Sequence, residues 1–262
     1  VSVTEQTAAG GAIRSTWATV GGLRIHARVA DGAAAPGRLP VVLVHGLSVS
    51  SRYMMPTARR LAPWRAVYAP DLPGFGESDK PRHVLGVPGL AGALLAWMDA
   101  AGLGRAVMLG NSLGCQIIVE IGARRPERLA AAVLVGPTAD PAARSVLAHA
   151  WRLLRDLPHE SPGSILTQSG DYLRAGPRRT LGTLRRALAD DVERKLPLVR
   201  APALVVRGER DPIAPQAWCE AAAAALPRGE LLLIPGAPHA LNHVRPAELA
   251  AATLEFLERN GI

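Results

Sequence analysis

Six short apolar runs, each closed by glycine or proline, alternate with longer stretches of helical periodicity. This alternation restricts the fold more than any other feature of the chain. The runs are "LPVVLVHG", "RAVYAP", "RAVMLG", "LAAAVLVG", "APALVVRG" and "ELLLIPG". Val, Leu and Ala without polar alternation suit strands buried on both faces. Between and after them lie helix-like segments such as "SRYMMPTARRLA", "GLAGALLAWMDAAG", "LGCQIIVEIGARRP" and "PAELAAATLEFLERNG". Such an order predicts a mostly parallel sheet covered by helices on both faces. Ahead of it, two alternating segments in "IRSTWATVGGLRIHARVA" flank Gly21-Gly22, a two-residue hairpin signal.

The alternation lapses once. From Pro137 to about Leu196 no strand candidate occurs. "ARSVLAHAWRLLRDL" puts Val146, Leu147, Ala150, Trp151 and Leu154 on one helical face, and "RRTLGTLRRALADDV" repeats the habit with Leu181, Leu184, Leu188 and Val192. The expected organisation is an α/β core formed by residues 1–136 and 197–262, with a helical insertion over 137–196 lying across one end of the sheet.

Composition excludes several function classes. No apolar run approaches the roughly 20 residues that span a bilayer, and the opening "VSVTEQTAAGGAIRS" has neither a basic nor an apolar signal region. Cys115 and Cys219 make no disulfide framework and no metal-ligand spacing, so a cytoplasmic protein without metal or cofactor is expected. The net charge of +8 comes mostly from scattered arginines with acids between them, and no nucleic-acid module accompanies it. The expected partner is a small-molecule substrate rather than nucleic acid or membrane; oligomeric state is not readable.

In open α/β sheets reactive groups gather at the carboxyl ends of strands, and four such loops carry unusual residues. Gly110-Asn111-Ser112-Leu113-Gly114 fits G-x-S-x-G between a strand and a helix, where a sharp turn exposes the serine and leaves no room for side chains two positions away. "HGLSVSSRY" follows a strand: the Leu47 N–H is a candidate oxyanion donor, Ser48 and Ser50 are nearby hydroxyls or helix caps, and His45 reads as a brace. "GERDPIAP" offers Asp211, with Glu209 and the more distant Asp140 as rivals. "PGAPHALNHVRP" offers His239, with His243 a few residues on. A serine hydroxyl needs an imidazole to take its proton, and the imidazole needs a carboxylate to fix its tautomer. Ser112, Asp211 and His239 supply these in the chain order of the α/β-hydrolase arrangement.

With "DLPGFGESDKP" (Asp71 to Pro81) added to these motifs, the chain resembles the α/β-hydrolase superfamily over nearly its whole length. The resemblance implies an eight-stranded sheet, a helical cap, Ser112, Asp211 and His239 as the triad, and Leu47 and Leu113 as backbone oxyanion donors. Serine at the elbow differs from the aspartate of haloalkane dehalogenases and epoxide hydrolases. The expected activity is cleavage of a small carboxylic ester, thioester or lactone through an acyl-enzyme. The alternative is a carbon–carbon bond hydrolase acting on ring-fission products; those commonly carry Trp after the catalytic histidine, where this chain has Ala240. A non-catalytic ligand receptor of the same fold is a third possibility. Ser48, Met54, Trp151 and Leu154 are the candidate substrate-pocket residues. Cap arginines such as Arg152, Arg155, Arg178 and Arg179 are candidates to bind a substrate carboxylate.

Overall fold

A computed structural model describes residues 3–4, 13–30 and 37–262; the rest of the opening segment lies outside the described residues. Along the chain run β1 (Val3–Thr4), β2 (Ile13–Val20), β3 (Leu23–Ala30), β4 (Val41–Val44), α1 (Ser51–Leu61), β5 (Val67–Pro70), α2 (Val87–Ala100), β6 (Ala106–Asn111), α3 (Leu113–Arg124) and β7 (Leu129–Val135). Four helices follow: α4 (Val146–Asp156), α5 (Pro162–Ala175), α6 (Pro177–Leu188) and α7 (Val192–Lys195). The chain ends with β8 (Ala203–Gly208), α8 (Gln216–Ala225), β9 (Gly229–Ile234), α9 (Leu241–Val244) and α10 (Pro246–Arg259).

One sheet holds all the strands in the order β1-β2-β3-β5-β4-β6-β7-β8-β9. Pairing is antiparallel from β1 to β5 and parallel from β5 onward. The eight expected strands are present, and the two-residue β1 adds a ninth at the edge. The hairpin signal folds as expected: Val20 pairs with Leu23, and Gly21 and Gly22 both take positive φ, as a two-residue turn matching strand twist requires.

Every residue of β4, β6, β7 and β8 is buried. Period-two alternation divides them between two cores. Val42, Val44, Met108 and Leu134 pack with α2, α3 and α8 residues such as Leu94, Ile118 and Trp218. Val41, Leu43, Val107 and Val133 pack with Met54 and Leu61 of α1 and Phe256 and Leu257 of α10. Val44 lies opposite Gly110, Asn111 opposite Val135, and Val135 opposite Val206. The parallel strands therefore end level, and the loops that follow them collect at one edge of the sheet. No described helix is long and apolar enough to cross a membrane.

The helical segment between β7 and β8 departs from expectation in three respects: Leu181 of α6 is exposed, Val192 is buried in α7 rather than on the α6 face, and α4 is turned over. In α6, Leu184 and Leu188 face inward as predicted. In α4 the apolar stripe faces water: Leu147, Trp151 and Leu154 are 83%, 62% and 59% exposed. The buried positions are His149 and Asp156. The helix turns its polar face to the molecule because that face meets the strand-end loops, where polar groups need partners.

Candidate active site

Ser112 sits between the last residue of β6 and the first of α3 with φ 57° and ψ −118°, a conformation costly for a residue with a Cβ. Its N–H donates to Val135 O at 2.9 Å, which helps hold the turn. Both flanking glycines are sterically required. A Cβ on Gly114 would lie 2.2 Å from Val44 O, and one on Gly110 would lie 2.6 Å from the Gly114 carbonyl carbon. Leu113 opens α3, so its N–H has no acceptor within the helix.

Asp211 is buried in the loop after β8. Its Oδ1 accepts from the N–H groups of Ile213 (2.8 Å) and Ala214 (2.9 Å), and its Oδ2 lies 2.8 Å from His239 Nδ1. One oxygen thus serves the turn and the other serves the imidazole. Arg207 fixes the loop by donating to Asp211 O at 2.9 Å. In the neutral imidazole this pairing places the proton on Nδ1 and leaves the lone pair on Nε2. The rivals are engaged elsewhere: Glu209 accepts from Gly236 N–H, and Asp140 pairs with Arg152 at 2.7 Å. His243 lies in α9, stacked on Tyr53. His45 is fully buried, donating to Gly46 O and accepting from Leu72 N–H, which makes it a neutral brace; burial lowers its pKa.

Ser112 and His239 line one cavity of about 30 Å³, together with Gly46, Leu47, Val49, Tyr53, Asn111, His149, Leu153, Gln168, Tyr172 and Ile213. Of the candidate pocket residues, none of four lies there. Ser48 spends its hydroxyl on Thr180 Oγ1 at 2.7 Å. Met54 is fully buried in α1, its sulfur 3.4 Å from Asn242 Nδ2. Trp151 points to solvent with the outer stripe of α4, and Leu154 lines a separate groove. No arginine lines the cavity; Arg152 pairs with Asp140, and Arg179 donates to Pro81 O.

Several residues that matter here carry no sequence signal of their own. Gly136 (φ 53°) lies where a Cβ would be 2.9 Å from both Asp211 Oδ2 and His239 Nδ1, so its missing side chain gives the pair room. His149 and Leu153, and Gln168 and Tyr172, are i,i+4 pairs on α4 and α5. That spacing could have revealed them, had the polar side of each helix been read as the inner one. Asp156 and Glu160 hold the loop that carries His239: Asp156 Oδ1 accepts from His239 N–H (3.2 Å) and Glu160 Oε1 from Ala240 N–H (3.0 Å).

These acids set the electrostatics. Burial pulls the His239 imidazolium down, but Asp211, Asp156 and Glu160 outweigh it and raise the pKa to about 9. Burial pushes Asp156 up to about 7 against the pull of His239. Burial holds His149 down at about 4, with His239 and Arg152 adding to the effect. Among the described residues, no three His, Cys, Asp or Glu side chains gather as a metal ion would need.

A nine-stranded, mostly parallel sheet with a strained serine turn and a carboxylate-paired histidine at its carboxyl edge defines a class of hydrolase. The alpha/beta hydrolase family model matches residues 41–252, and the chain belongs to that family. A pimeloyl-[acyl-carrier protein] methyl ester esterase of Xanthomonas campestris pv. campestris is 30% identical, covering 76% of this chain and 87% of the relative. A thermophilic esterase from Thermogutta terrifontis superposes with a TM-score of 0.79 at 24% identity, over 94% of this chain and 98% of that one. An enol-lactonase from Burkholderia xenovorans superposes with a TM-score of 0.75 at 24% identity, over 93% and 100%. The two structural likenesses bear on the fold.

Proposed function

We propose that this chain is a serine hydrolase that cleaves a small carboxylic ester, thioester or lactone through an acyl-enzyme. The observation that carries the reading is the 2.8 Å pairing of His239 Nδ1 with Asp211 on a histidine that shares a cavity with the strained Ser112. Ser112 Oγ attacks the acyl carbon while His239 Nε2 takes its proton, and Asp211 stabilises the imidazolium. The N–H groups of Leu47 and Leu113 receive the oxyanion; loss of one such donor typically costs about 10²–10³ in rate. The imidazolium then protonates the departing oxygen or sulfur. A water, deprotonated by His239, attacks the acyl-enzyme and returns Ser112 and the carboxylic acid. The esterase name of the Xanthomonas relative supports an ester rather than an amide.

Residues 137–196 act in this reading as a cap, since α4 and α5 contribute His149, Leu153, Gln168 and Tyr172 to the cavity wall. The buried, unpaired thiols of Cys115 and Cys219 fit a reducing cytoplasm. A carbon–carbon hydrolase acting on diketo acids would want a cation for the substrate carboxylate, and no arginine or lysine lines the cavity.

The test is direct. Ser112→Ala is expected to abolish turnover of short-chain aryl esters, and a serine-directed phosphonate to label Ser112 in the wild type. Turnover surviving in the alanine variant would overturn the reading.

A further inference from the structure

The cavity around Ser112 and His239 has room for about two water molecules, too little for both arms of an ester. Next to it, between α4 and α5, lies an open groove of about 460 Å³. About fifteen times the volume of the Ser112 cavity, it falls in the ordinary range for small-molecule sites. Its walls include Leu154, Leu157 and Ile165, aliphatic side chains left open to solvent. Leu153, Gln168 and Tyr172 belong to the walls of both spaces and form the partition between them. Gln168 is held only by side-chain bonds, to Ser164 Oγ at 2.8 Å and Glu160 Oε2 at 3.4 Å, so rotating it requires no backbone movement.

We propose that this groove is the binding site for a neutral, unbranched apolar chain of the ester substrate, which reaches Ser112 past the Leu153–Gln168–Tyr172 partition. The proposal rests on Ser112 being the nucleophile. The wall shared with the Ser112 cavity, one of whose members can rotate without backbone movement, identifies the occupant as substrate rather than a separate ligand. The aliphatic wall selects methylenes, each worth about fourfold when fully buried. Asp156 and Glu160 also line the groove and select against a chain that ends in a carboxylate.

The test compares 4-nitrophenyl acetate, 4-nitrophenyl octanoate and an octanoate-length ester whose chain ends in a carboxylate. For the wild type, kcat/KM is expected to rise at least tenfold from acetate to octanoate and to fall for the carboxylate-tipped chain. Ser169→Trp, which fills the groove, and Leu154→Asp, which charges its wall, are each expected to cut the octanoate-to-acetate ratio at least tenfold. Both positions are exposed, so folding is not at stake. Leu147→Ser and Leu173→Ser, on exposed apolar positions outside the groove, are expected to leave the ratio unchanged. An unaltered ratio in the groove variants, an equal fall in the two controls, or a wild-type ratio below tenfold overturns the proposal. Ser112→Ala separates the two failures: if it is inactive toward both esters while the ratio ignores the groove, the hydrolase reading stands and the groove assignment falls.

Discussion

His239 faces three carboxylates, not one. Asp211 bonds its ring, while Asp156 and Glu160 bond the backbone N–H groups of His239 and Ala240 from the helical segment above; the other titratable neighbour, His149, stays neutral, held down at about 4. With the imidazolium held up to about 9, the proton-accepting form is a minority at pH 7 and grows as pH rises. The expected kcat/KM profile for a small ester therefore climbs through the alkaline range. Asp156→Asn keeps an oxygen for the His239 N–H but removes a charge, and should move the midpoint of that climb down by up to about one unit. An unmoved midpoint would show that Asp156 acts through geometry alone. The sequence showed His239 and Asp211 because each stands in a strand-end loop of distinctive composition. It did not show Asp156, which reaches the site because α4 turns a polar face inward, or Glu160, which comes from the connection between α4 and α5.

Elements were legible in proportion to how far local pattern decided them. The parallel strands were readable because burial on both faces leaves a mark on every residue, as in "VVLV" of β4. The orientation of α4 was not, since an apolar stripe is ordinarily the inner one and here the strand-end loops claim the other side. The turn between β6 and α3 is the opposite case, where two glycines announce the geometry. Gly114→Ala drives a Cβ toward Val44 O, 2.2 Å away, and both are backbone-fixed. A cost of about 1–3 kcal/mol or more is expected, read as a lower urea midpoint with unchanged slope. Gly92→Ala, in α2 with nothing near its Cβ position, should instead stabilise by about 0.5–1 kcal/mol. A neutral Gly114→Ala would mean that the turn can relax, and the steric account of the motif would fail. The two loops flanking Ser112 are both tied to the helical segment: Ser48 and Ser50 bond Thr180 of α6 and Asp171 of α5, and the His239 loop bonds Asp156 and Glu160. Movement of α4–α6 would thus reach the candidate site through named hydrogen bonds.

At the scale of the molecule, four of the described groups with large shifts couple folding to pH between about 2 and 9, and their signs differ. Burial pushes Asp71 up, but its interactions with His26 and the Glu77 N–H bring it down to about 2. Its contribution is present above the ordinary value of 3.8 and lost as pH falls toward 2. His149, near 4 instead of 6.5, adds stability that is lost as pH falls from 6.5 through 4. Asp156, near 7 instead of 3.8, contributes fully below 3.8 and loses that contribution as pH rises through 7. His239 contributes fully below 6.5 and loses its share as pH rises through about 9. Between pH 4 and 6.5 the His149 and Asp156 slopes oppose each other, so the stability curve should be broad there, with acid collapse below it and a decline above it. The net charge of +8 works against that decline, because self-repulsion eases as pH approaches the sequence pI of 10.6. The difference between wild type and His239→Gln isolates the titrating group from this background. Wild-type Tm is expected to lose ground against the glutamine variant between pH 6.5 and 9, and a constant difference would refute the assignment. In the proposed mechanism the proton that leaves His239 for turnover is also the one its neighbouring carboxylates stabilise, so the rise in pH through about 9 that favours turnover removes the contribution of His239 to folding.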